Sequence, residues 1–118
     1  MGTFSHPITL ISPVSDRTET LNGLVDTGAT FSSAPTRVLT GLGATPQRTI
    51  RLRLADGRIV QHEVGELLAE LDGVRATVMC IFGPDDSTVL IGAHTLEAFL
   101  LAVDPIEKRL VPVDALWL

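Results

Sequence analysis

Hydrophobic and polar residues alternate most clearly between Thr49 and Leu54, where Ile50, Leu52 and Leu54 fall on one face and Arg51 and Arg53 on the other. A period of two over this length predicts a half-buried strand. Asp56-Gly57 follows as a tight hairpin turn, and Arg58 to Leu68 returns as the partner strand. The same reading finds strands over Pro7 to Ser12 and Thr18 to Asp26, with Ser15-Asp16-Arg17 as the turn between them and Asn22-Gly23 as a bulge or kink. Leu68 to Leu71 and Val74 to Phe82 form two more strands around Asp72-Gly73, and Thr88 to Ile91 forms a short buried one. Helical signals are sparse. Ala34 to Leu39, with Pro35 near its start and Gly41 and Gly43 beyond its end, predicts a short helix near 35–41. Leu96, Phe99 and Leu100 recur at helical spacing and predict a second one from Ala93 to Leu101, with Glu97 in its first turn. Leu101 to Asp104 and Arg109 to Val113 close the chain as strands before an apolar tail, Ala115-Leu116-Trp117-Leu118. The pattern is all-β with one short C-terminal helix and the short helix near 35–41.

Composition narrows this picture. The 118 residues suffice for one domain over residues 1–118 with one core. With 45% apolar and 19% charged residues the chain folds rather than staying disordered. A net charge of −5 without any basic run argues against nucleic acid and anionic membrane as partners. No stretch approaches the roughly 20 apolar residues that span a bilayer, and Met1 to Pro13 lacks the basic start and long apolar core of a signal peptide. The expected location is cytoplasmic. The lone Cys80, inside Val78-Met79-Cys80-Ile81-Phe82, reads as a small buried residue. His6, His62 and His94 share no ligand spacing, and Asp85-Asp86 reads as solvated charge on a loop, so neither a metal nor a cofactor is expected.

Chemistry concentrates in Leu24-Val25-Asp26-Thr27-Gly28-Ala29-Thr30. Two apolar residues carry the chain into Asp26, and Thr27 and Gly28 turn it. An ionised carboxylate at the end of a buried strand is costly unless it is paired or used. As a lone triplet Asp-Thr-Gly is ordinary turn chemistry. A second segment, Val89-Leu90-Ile91-Gly92, gives it weight, because together the two resemble the signature of the retropepsin-like aspartic proteases. In that family an apolar-Asp-Thr/Ser-Gly-Ala loop carries the catalytic Asp, and a later apolar-apolar-Gly segment packs behind it and leads into a short helix. Ala55-Asp56-Gly57, Gly92-Ala93-His94-Thr95-Leu96-Glu97 and Val103-Asp104-Pro105 are similar to motifs of a small archaeal and bacterial subgroup.

The resemblance implies a closed or partly open retropepsin-like β-barrel and an aspartic endopeptidase. It implies Asp26 as the catalytic residue, acting as one of two carboxylates brought together in a homodimer, since Asp-Thr-Gly occurs once in this chain. Thr27, Gly28, Ala29 and Thr30 would then contact a peptide or protein substrate, Thr27 also bridging subunits. Ala55, Asp56 and Gly57 would form the tip of a flap over it. The apolar tail would either interleave with a second copy or pack on its own subunit. Viral members place an Asp after the Ala and an Arg after the second-motif Gly; here Thr30 and Ala93 stand there, so both partners of that ion pair are absent. Two other readings stand beside this one: a non-catalytic dimer of the same fold that binds peptides or serves assembly, and a small all-β binding module in which Asp-Thr-Gly is only a turn.

Overall fold

A computed structural model of the chain describes residues 3–118. The strands are β1 (Phe4–Ile11), β2 (Thr18–Val25), β3 (Ser32–Pro35), β4 (Arg48–Arg53), β5 (Ile59–Leu71), β6 (Val74–Gly83), β7 (Leu90–Ile91), β8 (Leu101–Asp104) and β9 (Arg109–Pro112). Two short helices, α1 (Thr36–Gly41) and α2 (Ala93–Ala98), interrupt them.

Seven strands form one sheet in the order β1-β2-β7-β3-β6-β5-β4, and β8 and β9 pair separately as a hairpin. Thr9–Ile11 of β1 also pair with Leu68–Glu70 of β5. That contact joins the first strand of the order to the sixth, so six strands close into a barrel and β4 hangs outside the ring as an edge. Closure removes most open edges. Ile8, Leu10, Val25, Leu67, Val78 and Ile91 fill the interior, and Leu39 and Leu96 of the two helices pack into the same core.

The turn chemistry acts as the sequence suggests. Asp72 and Gly73 adopt φ of 51° and 82°, the left-handed pair of a two-residue hairpin turn that matches strand twist. At the β4–β5 tip the Gly57 amide donates to the Leu54 carbonyl (2.9 Å) and the Leu54 amide to Arg58 O (2.8 Å), with Gly57 at φ 89°.

Several boundaries differ from the sequence reading. Gly23 makes no bulge: β1 and β2 pair one to one from Phe4↔Val25 to Ile11↔Thr18. Gly is needed there because a Cβ would stand 2.7 Å from Ile91 Cγ1. Arg58 to Leu71 is not two strands, since β5 runs unbroken through Gly65, where a Cβ would stand 2.5 Å from the Thr45 carbonyl oxygen. β3 carried no strand signal; it pairs parallel with Cys80–Gly83, and α1 begins only after Pro35. The C-terminal helix stops at Ala98, three residues early, because Leu100 turns to φ 56°. Glu97 therefore sits in its last turn, not its first. Trp117 at the end of the tail is 99% exposed and Leu116 and Leu118 are exposed too, so the tail does not pack on its own subunit.

Candidate active site

The parallel pairing of β2 with β7 builds the site. Leu24 lies beside Leu90 and Val25 beside Ile91, so the two sequence motifs leave the barrel side by side. Backbone hydrogen bonds continue past the strands: Asp26 N–H donates to Ile91 O (3.0 Å), and the Ala93 and His94 amides donate to Ala29 O (2.8 Å) and Thr30 O (2.9 Å). The otherwise unpaired amides at the start of α2 thus hold the far side of the Asp26 loop. Gly92 makes this approach feasible, because a Cβ there would stand 2.4 Å from the Phe31 carbonyl oxygen and 2.9 Å from that of Ala29.

Asp26 is half-buried at the end of β2. Its Oδ1 accepts the Gly28 amide at 3.0 Å, which aims the carboxylate back across the turn. Gly28 is not in the left-handed region; its Cβ would stand 3.3 Å from Asp26 Oδ1, so the absence of a side chain keeps that hydrogen bond unobstructed. Thr27, Gly28 and Thr30 are exposed and Ala29 is half-buried.

Two concavities flank the loop. One, of about 410 Å³, runs from Gly28–Phe31 to the β4–β5 hairpin, where Leu52, Leu54, Val60 and His62 line it. The other, of about 310 Å³, holds Asp26 and Thr27 against Phe4, Val25, Val103 and Pro105. Gly28, Ala29 and Thr30 thus stand together on the larger cleft. Ala55, Asp56 and Gly57 are exposed at the hairpin tip, beyond the residues that line it. There Asp56 accepts the Arg58 amide (3.0 Å) and Arg58 Nε (2.7 Å), and these bonds hold its carboxyl below the usual aspartate range.

Sequence reasoning missed three groups. Ser32 is buried, its Oγ accepting the Gly92 amide at 3.0 Å and lying 2.5 Å from the Thr95 hydroxyl, which ties β3, the second motif and α2 into one network. Nothing in the local sequence pairs residues so far apart. His62 lines the cleft with Nδ1 3.2 Å from Phe82 O. Drawing the hairpin register around Asp56-Gly57 would have placed it opposite Ile50, on the apolar face. Asp85 is not merely solvated; its Oδ1 accepts the Arg37 amide (2.9 Å) and caps the start of α1.

Residues 14–95 match the sequence model of a family described as aspartyl protease. The chain belongs to the aspartyl protease family. Solved structures agree on its retropepsin-like fold. The simian foamy virus (mac) protease superposes with a TM-score of 0.57 at 18% identity, over 80% of this chain and 92% of that one. The retroviral protease-like domain of Ddi1 from Leishmania major gives 0.58 at 17% identity, over 95% and 89%. Lpg0085 from Legionella pneumophila, a protein of unknown function, gives 0.59 at 18% identity, over 93% of each chain. No curated protein sequence matches at a significant level. At these identities the structural likenesses speak for fold. Asp26, the Asp of the single Asp-Thr-Gly triplet in the sequence, lies within the matched residues 14–95.

Proposed function

We propose that this chain is an aspartic endopeptidase that acts as a homodimer, hydrolysing peptide bonds with a water activated between the Asp26 carboxylates of two copies. One observation carries the reading: a half-buried carboxylate is aimed by the Gly28 amide on a loop locked from behind by Ile91, Ala93 and His94, and the next residues of that loop, Gly28 to Thr30, line the larger cleft. A single Asp cannot serve as both base and acid, and the motif occurs once, so a second copy supplies the partner.

At about 3 Å two carboxylates share one proton rather than both ionising. The ionised member takes a proton from water while the resulting hydroxide adds to the scissile carbonyl carbon. The neutral member donates a hydrogen bond to the carbonyl oxygen. Proton transfer to the amide nitrogen then lets the C–N bond break. Thr27 bridges the two loops, Gly28, Ala29 and Thr30 contact the peptide, and Ala55, Asp56 and Gly57 close over it as a flap.

Asp26→Asn tests the reading. Cleavage of a peptide library should fall by about 10³-fold or more, with self-association in sedimentation unchanged. Retained cleavage sinks the proposal. The flap tip standing beyond the cleft lining favours one other reading, a dimer that binds peptides without cutting them; wild-type protein that binds library peptides yet cleaves none would select it.

A further inference from the structure

The larger cleft has a charge pattern of its own. Its ionisable lining residues are Arg51, Arg53 and His62, with no carboxylate among them, in a chain whose net charge is −5. Among the described residues neither arginine has an acidic partner; Arg53 Nη1 reaches only the Gly57 carbonyl, at 3.4 Å. The nearest tip carboxylate, Asp56, is already taken by Arg58.

The arginines alternate with apolar residues on a strand whose outer side is unpaired among the described residues. β4 is the end strand of the sheet, and Arg51 to Leu54 border the cleft opposite Gly28–Phe31. Arg51 and Arg53 are exposed on one face of β4, while Leu52 is half-buried on the other, opposite Val60. An unpaired strand edge is a template for an added extended segment, and such a segment repeats the strand's own period of two. Successive side chains of a bound peptide therefore point in turn toward the leucine face and toward the arginine face.

We infer that the cleft selects extended peptides in which acidic side chains alternate with apolar ones, the acidic residues facing Arg51 and Arg53. This rests on the reading of the cleft as a peptide site and adds the chemical class of the peptide. Guanidinium groups suit carboxylates because two N–H donors meet two oxygens.

Binding to the Asp26→Asn protein separates this inference from catalysis. Two fluorescein-labelled peptides, identical except for Glu or Lys at alternate positions among leucines and valines, are titrated and read by anisotropy. The Glu peptide should bind about fivefold tighter at low ionic strength, the gap closing as salt rises. Arg51→Gln with Arg53→Gln should erase the preference, and Arg51→Glu with Arg53→Glu should reverse it, in variants whose melting temperature matches the parent. Equal binding, a preference for Lys, or no binding of either peptide overturns the inference. Wild-type protein that prefers the Glu peptide but leaves it uncut would instead overturn the endopeptidase reading alone.

Discussion

Gly92 shows how closely the second motif serves the first. The atoms that a side chain there would meet belong to backbone, the carbonyls of Phe31 and Ala29, and cannot swing aside. Gly92→Ala should destabilise the fold by about 3 kcal/mol, read as a lower urea midpoint with unchanged slope. Ser32 holds the same glycine through its hydroxyl, so Ser32→Ala strands a buried amide and should cost about 1–3 kcal/mol by the same measurement. Cys80 is a different case. Burial pushes its thiol up to about 12, so at pH 8 it is protonated and shielded. It should react with a thiol reagent only as fast as the protein opens, and at once in urea; fast labelling of native protein would contradict its placement in the core. The two motif segments around Asp26 and Gly92 were legible because each is a recognisable run. Ser32 and Thr95 were not, because their meaning is a contact between segments remote in sequence.

At the scale of elements, the β4–β5 hairpin is the part the sequence announced best. Its period of two and its Asp-Gly turn both come from local sterics, and both appear where expected. The tip carries a pH signature. The Arg58 amide and guanidinium lower the Asp56 carboxyl below its ordinary value of 3.8, so the charged form is favoured in the folded hairpin. The ordering this contributes is present above the ordinary value and is lost as pH falls through the lowered one. The Arg58 amide resonance should therefore titrate with a midpoint below 3.8, and Asp56→Asn should abolish that titration. β3 was illegible for the opposite reason. Ser-Ser-Ala-Pro has weak strand propensity, and the segment is extended because it slots parallel beside β6 and meets β7. The early end of α2 likewise depends on Leu100 adopting a left-handed conformation, which clash between Cβ and the backbone disfavours for leucine.

At the scale of the whole molecule, barrel closure and the exposed tail matter most. β1 closes the ring through three residue pairs with β5, a contact between segments about sixty residues apart. Outside the barrel, Leu116, Trp117 and Leu118 expose an apolar surface that a lone chain has no reason to leave in water. The proposed dimer gives it a place. Trp117 is the only tryptophan, so its fluorescence reports directly on that tail. Emission should shift to the blue as concentration rises through the self-association range, and deleting residues 115–118 should weaken self-association. An emission maximum that stays constant while the protein dimerises would place the tail outside the interface.

The chain by itself determined its strand-rich character, its hairpin turns and the pair of motifs that resemble the aspartyl protease signature, because these depend on neighbours within a few residues and on side-chain period. The tertiary structure decided that the two motifs lie side by side, that six strands close on themselves, that β4 keeps an open edge on the cleft and that His62 lines it. Those outcomes come from pairings between remote segments, whose stability is realised only when the barrel forms as a unit and which no local pattern encodes.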